Sequence, residues 1–73
     1  MPCISPDGKP SATGLTLLRS LKGGSLSPSE VSEKTGLTLP RVRSGLRELR
    51  AAGFVEESEG RYGLSQAGAE AVA

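Results

Sequence analysis

The sequence predicts a small α+β domain that is mostly helical. Apolar residues recur at helical spacing in three segments, capping hydroxyls and glycines bound these segments, and a short hairpin pattern follows the third. The 73 residues suffice for one domain with a small core. The chain has one cysteine and no histidine, so neither an internal disulfide nor a cysteine–histidine zinc site is expected to stabilise it.

Residues 1–10 predict a flexible N-terminal arm, followed by the folded domain over residues 11–73. The arm contains three prolines and a glycine, which favour an extended or disordered segment. It lacks the apolar core of a signal peptide, and no apolar run approaches the roughly 20 residues of a membrane span. Together with Cys3, which we interpret as an incidental thiol, this predicts a cytoplasmic protein without a membrane partner.

A first helix is expected to begin at Ser11 or Thr13 and to end near Lys22, before two glycines. Leu15 lies off its apolar stripe, where it either faces a partner chain or widens the buried face. The positions expected in the core are Leu17, Leu18 and Leu21.

Two further helices are predicted between Ser27 and Gly53. Ser27 and Glu30 have the spacing of a capping box at the start of the second helix, which Gly36 ends. Thr38 caps the third helix, and Gly53 is placed to end it in a left-handed conformation. Its buried face is expected to hold Val42, Gly45, Leu46 and Leu49.

A two-stranded hairpin is predicted after the third helix. Phe54 and Val55 begin its first strand, residues 58–60 form the turn, and residues 61–64 return. The segment of Ser25 and Leu26 before the second helix is too short to assign from its own residues. Phe54 and Tyr62, the only aromatic residues, are expected to pack this hairpin against the helices. Ser65 caps a last helix through about Val72, with Ala67, Ala71 and Val72 as its apolar contacts.

The order helix, helix, helix, hairpin, helix resembles that of winged helix-turn-helix domains. Residues 34–38 resemble the glycine–apolar–hydroxyl turn between the two motif helices, residues 46–56 a recognition helix entering its wing, and residues 64–68 the start of the closing helix. The resemblance covers residues 12–72 and is closest to bacterial and archaeal regulators of the MarR and ArsR types. It implies a three-helix core, a two- or three-stranded β-wing and a short C-terminal helix.

The resemblance implies a small transcriptional regulator whose third helix enters the major groove of double-stranded DNA. Arginine can donate two parallel hydrogen bonds to guanine, so Arg43 is the first candidate for a base contact and Arg41 the second. Arg47 is placed for a base or a phosphate, and Thr38 for a phosphate. The predicted DNA-binding residues are Ser29, Lys34, Thr38, Leu39, Pro40, Arg41, Arg43, Ser44, Arg47 and Arg61.

Two features depart from the family pattern. Wings of this family often carry basic residues, whereas this one has Glu56, Glu57 and Glu59 against Arg61 alone. Arg61 therefore either contacts DNA or forms an intramolecular ion pair. The chain also lacks the long extra helices with which larger members dimerise or bind effectors, so no small-molecule effector is predicted.

The sequence contains no recognisable catalytic constellation. No histidine can act as a base, and the adjacent Glu56 and Glu57 would point to opposite faces of a strand. Gly23 and Gly24 do not belong to a phosphate-binding loop motif. We therefore predict no enzymatic activity, no cofactor and no metal.

Charge distribution leaves two functions open. The net charge of +1 is low for a nucleic-acid-binding protein, but residues 41–50 hold four arginines and one acid. This helix favours DNA binding by a monomer or homodimer. The acidic wing favours the alternative, a winged-helix protein–protein interaction module in a larger complex without direct DNA contact.

Overall fold

The chain folds into three helices, a hairpin and a fourth helix. The structure, a computed structural model, describes residues 4–73 and therefore leaves Cys3 outside the described residues. Its elements are α1 (Ala12–Ser20), α2 (Pro28–Thr35), α3 (Leu39–Ala51), β1 (Val55–Ser58), β2 (Arg61–Leu64) and α4 (Gln66–Ala71). This order confirms the predicted winged helix-turn-helix. None of the helices within residues 4–73 has the length and apolar character needed to cross a membrane.

The core lies between α1, α2, α3 and the first residue of β1. Gly45 is buried on the same side of α3 as the apolar residues, as predicted. Leu15 is half-buried and packs against the core, so it widens the buried face of α1. The apolar side chains that are at most 3% exposed are Leu17, Leu18, Leu21, Val31, Val42, Leu46, Leu49 and Val55.

The first helix begins where the sequence predicts but ends earlier. Ser11 is the N-cap, because its hydroxyl accepts a hydrogen bond from the Gly14 amide at 3.3 Å. The helix ends at Ser20, two residues before the predicted Lys22. The amides of Leu21 and Lys22 bond to carbonyls three residues back, so the chain tightens into a turn before the glycines are reached.

Side-chain hydroxyls brace the turn between α2 and α3. Gly36 ends α2 with a φ of 78°, the left-handed conformation predicted for it. The Ser32 hydroxyl donates to the carbonyl of Leu37 at 2.6 Å, and the Thr35 hydroxyl accepts from the amide of Leu37 at 3.3 Å. These two bonds fix the geometry between the helices and were not predicted from the sequence.

The end of α3 and the start of α4 are joined through the backbone of residues 53 and 54. Gly53 has a φ of 88°, and the Phe54 amide donates to the carbonyl of Leu49 at 2.9 Å, which completes the predicted glycine cap. The Ser65 amide donates to the Phe54 carbonyl at 3.1 Å, while the Ser65 hydroxyl accepts from the Gly68 amide at 3.2 Å. The closing helix is therefore tied to the exit of α3.

The last helix is slightly shorter than predicted. It ends at Ala71, with Val72 as its C-cap, and both side chains pack against the core. Ala67, the third predicted apolar contact, is exposed and is not among the residues that pack against the core. A helical turn presents only part of its circumference to the core, and the start of α4 turns Gly68 inward instead.

The wing is an antiparallel pair with a third, minimal strand. Val55 pairs with Leu64 and Glu57 with Tyr62 in the β1–β2 register. Leu26 forms an isolated bridge with Tyr62 through two backbone hydrogen bonds of 2.9 and 2.8 Å. Tyr62 and Phe54 both pack against the core, which confirms the structural role predicted for the aromatic residues.

The turn of the wing places a glutamate in an unfavourable backbone conformation. Glu59 has a φ of 53° and Gly60 a φ of 79° between the two strands. Hairpins with two such residues favour asparagine followed by glycine, because a longer side chain is disfavoured at positive φ. Changing Glu59 to asparagine should therefore raise the free energy of unfolding by about 0.5–1 kcal/mol, measured by urea denaturation.

The matched control for that change is Glu59→Gln. Glutamine removes the charge at the wing tip without the backbone preference of asparagine, so its stability should stay close to the original. Equal stabilisation by both substitutions would show that charge repulsion among the wing glutamates, rather than the conformation at this position, limits stability.

The segment before α1 is not extended in the part that the structure describes. Ile4 and Pro10 form an isolated bridge, and the Ser5 amide donates to the Lys9 carbonyl at 2.7 Å. Ile4 packs against the core, which gives this proline-rich segment a reason to turn back. The expected extended shape is thus replaced by a turn over residues 4–10, and the flexibility of this arm stays a prediction.

Candidate nucleic-acid interface

The orientation of α3 is fixed by its buried side. Val42, Leu46 and Leu49 are each 0% exposed, so the helix cannot rotate without removing apolar surface from the core. The opposite side is directed to solvent. This division confirms the amphipathic pattern of the sequence and determines which charged residues are available to a ligand.

Three arginines form a stripe along the exposed side of α3. Arg43, Arg47 and Arg50 are exposed and lie at positions i, i+4 and i+7, which share one side of an α-helix. Within residues 4–73, the structure gives none of the three an ion pair. We call these three residues the arginine stripe. Their guanidinium groups can reach a ligand without first breaking a contact.

Arg41 differs from the arginine stripe. Helical spacing places it with Glu48 on the other flank of α3, and both residues already take part in contacts within the molecule. Pro40 and Ser44 are exposed between the two flanks, whereas Leu39 is half-buried. The structure therefore brings the predicted residues of α3 to one surface but separates Arg41 from Arg43.

Thr38 stands at the N-cap of α3, as predicted, but its side chain makes no capping hydrogen bond. A capping oxygen accepts from the amides of the second or third helical residue; Pro40 at the second position has no N–H, and the Arg41 amide at the third makes no bond to the Thr38 hydroxyl. The exposed Thr38 hydroxyl is thus not used by the helix. Ser29 is likewise exposed in the first turn of α2.

Lys34 has a structural contact that the sequence did not predict. Its ammonium group donates to the carbonyl oxygen of Ser20 at 3.1 Å, at the C-terminus of α1. A cation is favoured there by the unpaired carbonyls and the partial negative charge of a helix end. Lys34 therefore ties α2 to α1, and its contact with a phosphate stays a prediction.

Arg61 is also held within the domain. Its Nη2 donates to the carbonyl of Ser25 at 2.9 Å and lies 3.5 Å from Oε1 of Glu30. Of the two roles left open by the sequence, the structure favours the intramolecular ion pair. The arrangement links the wing to the first turn of α2.

Glu30 serves both α2 and the wing. Its carboxylate accepts from the Ser27 amide at 2.9 Å while the Ser27 hydroxyl accepts from the Glu30 amide at 3.3 Å, which is the predicted capping box. Hydrogen bonds from Ser27, with a smaller contribution from the Arg61 charge, hold the pKa of the Glu30 carboxyl below its ordinary value.

This lowered pKa predicts an acid-sensitive contribution to stability. The native state favours the ionised Glu30, so its contribution is present above the usual carboxyl range and disappears as the pH falls through the lowered pKa. The Glu30→Gln variant should unfold at a lower urea concentration than the original at neutral pH. The difference should shrink at about pH 3, below the ordinary glutamate pKa.

Glutamine is the appropriate substitution because its amide oxygen can still accept from the Ser27 amide. The comparison therefore isolates the charge. A difference between the two proteins that stays the same at both pH values would contradict a role for the ionised carboxylate.

A second surface is formed by the segment before α1 together with residues of α1 and α4. An open groove of about 450 Å³ is lined mainly by apolar atoms, with Pro10, Leu15, Phe54 and Ala71 among its residues. Exposed Ala67 also lines it. The half-buried Leu15 therefore packs against the core and also lines this exposed apolar groove.

Comparison with solved structures finds a similar region within a longer protein. CalO1, a methyltransferase of calicheamicin biosynthesis crystallised in its SAH-bound form, has a similar region with a TM-score of 0.72 and 32% sequence identity. The match covers 82% of this chain but 18% of CalO1, so methyl transfer is a property of that longer protein. No curated protein matches the sequence at a significant level.

A family assignment comes from the helices and the first strand. Residues 12–57 match the family described as bacterial regulatory protein, arsR family. The match spans α1, α2, α3 and most of β1, the elements that present the arginine stripe. The chain therefore belongs to the ArsR family of bacterial regulatory proteins, which are DNA-binding transcription regulators.

Proposed function

We propose that this domain binds specific sites in double-stranded DNA by placing α3 in the major groove. The observation that carries the proposal is the arginine stripe, because it lies on the exposed side of the second helix of a helix-turn-helix pair. Buried Val42, Leu46 and Leu49 hold that side outward. A rigidly presented guanidinium group can distinguish bases rather than only attract phosphates.

The proposed contacts differ along the motif. Arg43, near the start of α3, is assigned to a base edge, and Arg47, one turn later, to a base or a phosphate. Thr38 and Ser29 are assigned to phosphates, since their hydroxyls are exposed at the starts of α3 and α2. Flanking roles are proposed for Leu39, Pro40, Arg41 and Ser44.

We also propose that the domain acts as a transcriptional regulator in the cytoplasm and binds DNA as a homodimer. A cytoplasmic transcriptional regulator would gain affinity as a homodimer, because two copies read two half-sites about one helical turn apart. A monomer would read one groove and bind more weakly.

Salt dependence tests the proposal with a random-sequence duplex and fluorescence anisotropy. If three or four phosphates are contacted, affinity should fall roughly 40- to 150-fold when salt rises from about 50 to about 200 mM. Arg47→Ala should reduce both the affinity and this dependence. Arg19→Ala is the matched control, because Arg19 is an exposed arginine of α1. Absence of binding at low salt would reject the proposal.

A second candidate function is docking onto another protein. It is favoured by the match to part of the longer CalO1 chain and by exposed acids near the motif. Glu30 and Glu33 are exposed on α2, as are Glu56 and Glu59 on the wing, so the elements before and after α3 in the chain both carry exposed acids. Under this alternative, the protein would not bind a DNA duplex even at low salt. The arginine stripe would instead bind an acidic surface of a partner protein.

A further inference from the structure

The outward side of α3 offers a side chain that can form two hydrogen bonds to guanine but none that can form two to adenine. Side chains that bond adenine through two hydrogen bonds are asparagine and glutamine. The sequence contains no asparagine, and Gln66, its single glutamine, begins α4 rather than α3. Arginine, by contrast, bonds to O6 and N7 of guanine in the major groove.

The spacing of the arginines suits more than one guanine. Arg43 and Arg47 are four residues apart, which corresponds to about 6 Å along a helix axis. Successive base pairs are about 3.4 Å apart, so these two side chains can address nearby but different pairs. Both are exposed and carry no ion pair with a described residue, so neither needs to leave a partner.

The wing has few side chains that could contact bases in the minor groove of DNA. Minor-groove contacts are made mainly by arginine, lysine, asparagine and glutamine. Arg61 is the only such residue between positions 55 and 64, and it is bound to the Ser25 carbonyl and paired with Glu30. Glu56 and Glu59 are exposed on the same hairpin and would repel phosphates.

From these observations we infer that the domain recognises G·C-containing DNA from the major groove alone, with its wing held away from the duplex. The inference rests on the proposed function and specifies the class of DNA sequence. It assigns base recognition to Arg43 and Arg47, and it makes Arg61 a structural residue that braces the wing against α2.

The experiment begins with selection of bound duplexes from a random library. The selected sequences should contain guanines in each half-site. Replacing one such guanine by 7-deazaguanine, which lacks the N7 acceptor but keeps O6, should weaken binding roughly 10- to 150-fold, the range for one lost hydrogen bond to a charged group. Netropsin, which occupies the minor groove of A·T tracts, should not displace the protein. Arg61→Gln, checked for unchanged folding, should alter affinity by about twofold or less.

Different failures of this experiment have different meanings. Selection of A·T-rich sites, displacement by netropsin, or a loss of about tenfold or more with folded Arg61→Gln would overturn the inference while leaving DNA binding in place. Recovery of no duplex at low salt would overturn the proposed function and the inference together. Unchanged binding to 7-deazaguanine sites would overturn the assignment of Arg43 and Arg47 to guanine.

Discussion

Replacing Gly68 with alanine is expected to destabilise the domain by about 1–3 kcal/mol and to lower its melting temperature by about 5–20 °C. A Cβ built at Gly68 would overlap the carbonyl oxygen of Phe54 and lie 3.2 Å from Cδ2 of Leu64. The oxygen cannot move independently, because it belongs to the backbone and accepts from the Ser65 amide. Either α4 must shift or its attachment to the end of α3 must break.

Gly23→Ala provides a matched control for Gly68→Ala. Gly23 lies in the turn after α1, and a Cβ there would meet no atom within 4 Å. The same chemical change should therefore have little effect on stability. Thermal unfolding followed by circular dichroism measures both variants. A Gly68→Ala protein as stable as Gly23→Ala would contradict the close backbone contact between α4 and Phe54.

Replacing Arg43 with alanine is expected to weaken specific DNA binding by about 1–3 kcal/mol. Arg43 is exposed at the start of the arginine stripe, where the recognition helix of this motif meets base edges. Arg43→Lys should lose most of the discrimination between the selected site and random DNA, because lysine keeps the charge but lacks the planar fork of donors. Fluorescence anisotropy with both duplexes measures the two effects.

The Arg50→Ala variant distinguishes a base contact by Arg43 from a general electrostatic attraction between the arginines and DNA. Arg50 belongs to the same stripe but lies two turns later, at the end of α3, where a smaller effect is expected. A reduction of DNA affinity by Arg50→Ala that equals that of Arg43→Ala would mean diffuse charge attraction. In that case the assignment of Arg43 to a base would be wrong.

The elements that could be predicted from the sequence are those controlled by nearby residues. The Ser27–Glu30 capping box joins positions three residues apart, and Gly36 and Gly53 adopt their left-handed conformations at the ends of helices. The buried face of α3 follows from a repeat within one helix. Such signals need no knowledge of the remaining fold, so they predicted the helices and the exposed arginines together.

The remaining site features depend on residues that are distant in sequence. Lys34 contacts the Ser20 carbonyl across 14 positions, and Arg61 contacts Ser25 across 36. Neither helical spacing nor charge indicates these partners. Gly68 illustrates the same limit, because helix propensity alone predicts that alanine would stabilise α4 by about 1 kcal/mol. The contact with the Phe54 carbonyl reverses the sign of that expectation.

An amide chemical-shift titration of the labelled domain with a short DNA duplex tests the central claim most directly. We expect salt-sensitive shifts concentrated on Ser29 and residues 38–47, with small shifts in the wing at residues 56–61. Those positions follow α3 and the start of α2 rather than the acidic hairpin. No shifts at low salt, or shifts confined to the wing and the groove lined by Leu15 and Ala71, would contradict DNA binding through α3.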